Sequence, residues 1–197
     1  MWNIEICVRT LDDYNIAKGV FDDMDFVKVV KKSITDATYS TIVSAGNSFA
    51  EMNGGCDGVI NSHLSAFTPD HYIQEDVKKI INEEYLGELP VGTSILVKTA
   101  HPKHTHLIYT PTMRVATEVE NTINPYLAMR SILVVANKYK IPAFSMTLLC
   151  TGAGNFSVYK SCCLVKEAII STKSLIGGDW PVYHQHQKLL NSIVGKN

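Results

Sequence analysis

No apolar run approaches the ~20 residues a membrane span needs, and Met1-Trp2-Asn3-Ile4-Glu5 lacks the basic start and small-residue cleavage site of a secretory leader. A soluble, intracellular protein with no membrane partner is expected. Charge of one sign is also missing. Lys+Arg 18 against Asp+Glu 19 leaves a net charge of -1, without the basic excess of a phosphate-backbone binder, which disfavours sequence-specific DNA binding. Cysteine is sparse and unpatterned. Of five residues, Cys162 and Cys163 are adjacent while Cys7, Cys56 and Cys150 stand alone, so neither a disulfide framework nor a cysteine zinc array is expected. The histidines lack metal-ligand spacing as well: His101, His104 and His106 crowd a proline-containing turn, with His63 elsewhere. A solvated turn is the reading there, with no metal and no cofactor. Repeats, low-complexity tracts and long charge runs are absent, so residues 1–197 read as one domain.

What is present suits a globular chain, with 46% hydrophobic and 19% charged residues. Ile4, Ile6 and Val8 alternate as in a strand, and Asp12 and Asp13 open a helix-like stretch reaching Val20. Residues 26–30, with Ile34, and residues 39–43 are β-branched and strand-like, the second run stopping at Ser44-Ala45-Gly46-Asn47. Helical spacing marks residues 58–63, 73–85, 125–139 and 159–172, with Asn124 as N-cap and Pro125 at the first helical position of the third. Short strands are expected at 94–97 and 107–109, as a hairpin or as neighbours, and a buried strand at 143–149. The tail at 180–197 shows no interpretable pattern. Alternating strands and helices imply an α/β sheet covered on both faces, with ligands beyond the carboxyl ends of its strands.

Two loops at such strand ends carry the chemistry. The first contains Gly54-Gly55-Cys56-Asp57-Gly58 and the second is Thr151-Gly152-Ala153-Gly154-Asn155-Phe156. Glycines let backbone N–H groups approach an anion, and a following helix start adds its positive end. On glycine content alone a flexible turn serves as well, and Asp57 near a helix start also serves as a cap. Neither loop completes a P-loop or a dinucleotide-binding fingerprint. Together they suggest a ligand with two phosphates, or a phosphate and a sugar.

These residues resemble the macrodomains, which bind ADP-ribose and in several branches process it. Ser44-Ala45-Gly46-Asn47 with Gly54-Gly55-Cys56-Asp57-Gly58-Val59-Ile60 is similar to the family's Asn-Ala-Ala-Asn, Gly-rich stretch and Val-Asp-Gly-x-Ile. Cys150-Thr151-Gly152-Ala153-Gly154-Asn155-Phe156 is similar to its Ser-Thr-Gly-x-x-Gly-aromatic loop. Pro111-Thr112-Met113-Arg114 and Tyr126-Leu127-Ala128-Met129-Arg130 look like a phage and microbial branch, so the resemblance spans roughly residues 26–172.

The resemblance implies a single three-layer α/β/α macrodomain with a mixed central sheet. It implies Asn47 beside the distal ribose and Asp57 activating water. Ala45, Gly46, Gly54, Gly55 and Cys56 would line the ribose and phosphate side, Thr151, Gly152, Ala153, Gly154 and Asn155 the diphosphate side, and Phe156 would pack on the distal ribose. Two positions depart from the family. Its adenine-binding Asp is replaced by Ser33 before Ile34-Thr35, and the first Asn of Asn-Ala-Ala-Asn is Ser44. Ser33 and Ile34 would still face the base, and Asp36 is expected to supply the missing carboxylate. The implied activity is metal-free hydrolysis of ADP-ribosyl linkages at the distal ribose, with ADP-ribose or an ADP-ribosylated macromolecule as partner. A non-turnover reader of ADP-ribose and an ADP-ribose 1''-phosphate phosphatase need the same cradle.

Overall fold

Strands β1 (Asn3–Val8), β2 (Val27–Lys31), β3 (Thr41–Asn47), β4 (Ile95–Lys98), β5 (His106–Met113) and β6 (Ala143–Met146) form one sheet in the computed structural model, which describes residues 2–195. Their order is β2-β1-β6-β3-β5-β4. All neighbours are parallel except β4, which runs antiparallel to β5 at one edge.

The alternation of each strand sorts its side chains between two cores. Ile4, Ile6, Val8, Val43 and Ile108 face one, while Cys7, Ile42, Leu107 and Tyr109 face the other. The first is covered by α1 (Leu11–Val20), α4 (Asn124–Lys138), α5 (Val158–Ser174) and α6 (Trp180–Val194), through residues such as Ala17, Met129, Leu164 and Leu190. The second is covered by α2 (Gly55–Ser65) and α3 (Ile73–Tyr85), through Ile60, Leu64, Val77 and Ile81. The result is the three-layer α/β/α arrangement with a mixed sheet.

Several boundaries differ from the sequence reading, each for a local reason. β3 continues past Val43 to Asn47 because β5 runs beside it: Ser44, Ala45 and Gly46 pair with Tyr109, Thr110 and Pro111. Pro111 lacks an N–H, and it is tolerated because β4 ends its pairing at Tyr109. Ile34 is buried as expected of an apolar residue, but in a short 3-10 turn, Ile34–Asp36, capped by the Ser33 hydroxyl. Asn124 is the first residue of α4 rather than its cap, and its amide donates to the Thr112 carbonyl at 2.8 Å. β6 stops at Met146, so residues 147–149 belong to the loop. The tail forms α6, whose start is capped by Asp179 accepting from the Val182 N–H. Residues 1, 196 and 197, at the ends of the leader and tail readings, lie outside the described residues.

The solvated-turn reading of the histidines is corrected. His101 and His104 are 7% and 0% exposed, and His63 of α2 packs against both rings. His106 alone stays on the strand, its Nδ1 3.0 Å from the Thr105 hydroxyl.

Two features of the core give direct expectations. A Cβ on Gly46 would sit 2.2 Å from the Tyr109 hydroxyl, which donates to the Asn47 carbonyl at 2.7 Å and accepts from the Asn47 N–H at 3.1 Å. Gly46→Ala is therefore expected to destabilise the protein by about 1–3 kcal/mol, read as a shift in the urea midpoint, because Tyr109 is buried and has nowhere to move. Glu5, on β1, is buried, and burial alone would raise its pKa. The Thr38 N–H and hydroxyl, the Lys32 ammonium at 2.9 Å and the Ser145 hydroxyl outweigh burial and hold the carboxyl at about 2. A depressed carboxylate pKa stabilises the folded state above the unfolded value. That stability is expected to fall as pH drops from about 4.5 toward 2, and Glu5→Gln should flatten this part of a stability–pH curve.

Candidate ligand cleft at the strand ends

The carboxyl ends of β3, β5 and β6 and the start of α2 surround a cleft of about 400 Å³. Ala45, Gly46 and Asn47 form its floor, Gly54, Gly55, Cys56 and Asp57 one wall, and Gly152 and Ala153 the opposite wall. Thus the two glycine-containing loops, about 100 residues apart in sequence, do converge on one cavity, as expected beyond strand ends. A groove of about 480 Å³ between α3 and α4 is somewhat larger. It borders neither glycine-containing loop.

The two helix starts are not equivalent. α2 has Gly54 at its N-cap and no side chain satisfying its first N–H groups. Its first backbone bond runs from the Gly58 N–H to the Gly54 carbonyl, leaving the N–H groups before it without a helical partner. α5, by contrast, is capped by the Ser157 hydroxyl. The positive end open to an anion is therefore that of α2. Among the described residues, no lysine or arginine lines the cleft, so an anion there is met by backbone N–H groups. Glu51, on the rim, is itself paired with Lys78 at 2.6 Å.

Asp57 sits in the first turn of α2, partly exposed to the cleft. Burial of its carboxyl raises its pKa to about 6, opposed by the Ser44 hydroxyl, which donates to Oδ1 at 2.5 Å. Ser44 is fully buried in the middle of β3, so the departure at position 44 has a visible use: it fixes the Asp57 rotamer. Asn47 is buried and also at the cleft floor. Its Oδ1 accepts from the Phe49 and Glu51 N–H groups, and its Nδ2 donates to the Glu51 carbonyl at 3.0 Å. One amide hydrogen remains for a ligand. Most of its capacity shapes the 47–51 turn. Cys56 is open to the cleft, with Sγ 3.9 Å from the Thr147 hydroxyl, and its crowded surroundings raise the thiol pKa. It rests as a thiol rather than as a nucleophilic thiolate.

Other expected residues lie away from this cavity. Gly154 is a tight structural position: a Cβ there would meet the Cys150 carbonyl at 2.4 Å, and its own carbonyl accepts from the Val119 N–H. Asn155 turns to Glu118 at 3.3 Å. Thr151 is not on the cavity wall. Phe156 is 8% exposed and packs in the core beneath α4 and α5 instead of facing the cleft. On the base side, Ser33 caps the 3-10 turn and Ile34 is core. Asp36 does not line the cavity either. The chain turns back toward the start of β3 after Thr35, leaving Asp36 exposed with its carbonyl 3.5 Å from the Lys103 ammonium and its charge acting on His63 and His104.

The structure adds Thr112 and Met113 at the end of β5, Ala116, and Thr147 and Leu148 after β6. Thr147 and Leu148 were findable, because they follow the buried strand directly. Nothing in the spacing marks Ala116.

The Macro domain family model matches residues 43–165, which include both glycine-containing loops. The chain belongs to that family. It is 31% identical over 125 residues to an uncharacterized protein of Thermoplasma acidophilum, covering 62% of this chain and 61% of that protein. It is 26% identical over 145 residues to an uncharacterized protein of Thermotoga maritima, covering 73% of this chain and 23% of that one. The chain thus spans about a quarter and about three fifths of the curated relatives it matches. Among solved structures it is similar in fold to the Oceanobacillus iheyensis macrodomain with ADP, at TM-score 0.60 and 23% identity, covering 71% of this chain and 72% of that one.

Proposed function

We propose that the protein binds ADP-ribose in the cleft and hydrolyses ADP-ribosyl linkages at the anomeric carbon of the distal ribose. The observation that carries this reading is the junction at the start of α2. Unpartnered N–H groups for an anion and a carboxylate held by Ser44 at 2.5 Å open into the same cavity.

In this reading the diphosphate lies along Gly152 and Ala153 and the α2 N-terminus, which stabilise it without cations. The distal ribose then faces Asp57 and the free Nδ2 hydrogen of Asn47. Asp57 takes a proton from water as the water oxygen bonds to the anomeric carbon. The bond from that carbon to the leaving group breaks, and the proton passes to the departing oxygen. Developing positive charge on the ribose, as in glycoside hydrolysis, is favoured by the nearby carboxylate.

The Oceanobacillus iheyensis protein supports the assignment of positions. Its structures include single substitutions of an asparagine, a glycine and an aspartate, with the aspartate ten residues after the asparagine and three after the glycine. Asn47, Gly54 and Asp57 have the same spacing. The glycine variant is described with ADP-ribose bound.

Incubation with ADP-ribosylated protein and, separately, with ADP-ribose 1''-phosphate tests the proposal. Release of free ADP-ribose from the first supports hydrolysis, and release from the second alone reassigns the site to a phosphatase. Binding without release from either makes it a reader.

A further inference from the structure

At the far end of α2, about 12 Å along the helix from Gly55, three histidines meet. His63 comes from α2, while His101 and His104 come from the turn joining β4 to β5. Each ring offers a nitrogen within 4.8 Å of one on both other rings. His63 Nε2 and His104 Nδ1 are 2.8 Å apart. His104 Nε2 lies 3.1 Å from the Ala37 carbonyl, which can only accept, so Nε2 carries the proton and the Nδ1 lone pair is aimed at His63. A carbonyl fixing one ring nitrogen so that the other presents its lone pair is how metal-binding histidines are oriented. His101 is shielded by the edge of the Phe67 ring at 4.9 Å. The Lys103 side chain reaches toward the Asp36 carbonyl at 3.5 Å.

We propose that His63, His101 and His104 form a three-imidazole zinc site, separate from the ligand cleft, that clamps the β4–β5 turn to α2. Three neutral nitrogen donors suit Zn²⁺ and its neighbours among the late transition metals; Mg²⁺ and Ca²⁺ take oxygen ligands. Zn–N bonds of about 2.0–2.1 Å in a tetrahedron place ligand nitrogens roughly 3.3 Å apart, so loading separates His63 from His104 by about half an ångström and leaves water in the fourth position. His63 moves its ring proton to Nδ1. His101 has a larger adjustment. Its Nδ1 accepts from the Lys103 and His104 N–H groups at 3.1 and 3.0 Å, so binding zinc through Nε2 puts the proton on Nδ1 and releases those two amides. The metal therefore leaves a signature in the turn itself.

The test uses the full chain after dialysis against a chelator. Calorimetric titration with ZnCl₂ is expected to give one equivalent with micromolar or tighter affinity, and CoCl₂ should give the intense visible bands of four-coordinate cobalt. The Lys103 and His104 amide resonances should shift on loading. His104 is fully buried and its replacement endangers the fold, so His63→Gln and His101→Asn carry the test. Each is expected to weaken zinc binding by at least about tenfold, while ADP-ribose affinity stays within about twofold of wild type. No stoichiometric zinc binding at millimolar ZnCl₂ overturns the proposal. So does wild-type zinc affinity in both variants, which puts the metal elsewhere.

Discussion

Gly152→Glu is expected to weaken ADP-ribose binding at least about 100-fold, or about 2.7 kcal/mol, while leaving the melting temperature essentially unchanged. A Cβ at Gly152 meets nothing within 4 Å, and the residue does not need a left-handed backbone. The side chain is therefore accommodated in the free protein and projects where the diphosphate would lie, adding bulk and a like charge. Gly46, Gly55 and Gly154 cannot separate binding from folding so cleanly. Gly154 and Gly46 have no room for a Cβ, and Gly55 sits at φ +56, where any other residue strains the backbone. Gly55→Glu is thus expected to lose both binding and some stability. Calorimetry with ADP-ribose and a thermal melt decide the matter. Undiminished affinity in a folded Gly152→Glu protein means that the second loop does not carry the diphosphate.

The contrast among these glycines shows where the sequence was legible. Strand-to-loop-to-helix order put Gly54, Gly55 and Gly152 at the ends of strands, and the cleft lies there because parallel strands share one carboxyl end. Which glycine faces ligand and which relieves a clash depends on neighbours far away in the chain. Tyr109 decides it for Gly46. Phe156 followed the family motif in sequence yet belongs to the apolar face of the second loop. Asp36 was a short step along the chain from Ser33, but the turn directs it away. The histidine cluster was least legible of all, because His63 and His104 are joined by the packing of α2 on the sheet rather than by spacing. Ser44 departs from the family's asparagine in sequence. Only the rotamer of Asp57 gives it a purpose.

Asp57→Asn is expected to lower the hydrolytic rate by on the order of 10²- to 10⁴-fold, to keep ADP-ribose affinity within a few-fold, and to raise the melting temperature at pH 8. Asparagine keeps an oxygen for the Ser44 hydroxyl, so the helix start is preserved and only the base is removed. The stability change follows from linkage. Burial raises the folded pKa to about 6 from an ordinary 3.8, so the folded state holds this proton more tightly than the unfolded chain. Its stabilising effect is present below about pH 3.8 and is lost as pH rises through about 6. Above that, the protein carries a crowded negative charge that asparagine relieves. The same pKa sets the activity profile. The general base works when deprotonated, so wild-type kcat/KM is expected to climb about tenfold per pH unit below about 6 and level off above it. A purely structural carboxylate would show the stability change without the rate loss, because the Ser44 contact survives in both proteins. Full activity in a more stable Asp57→Asn variant therefore removes Asp57 from the chemistry. A large rate loss with the pH-dependent stabilisation identifies a functional group kept at the expense of the fold.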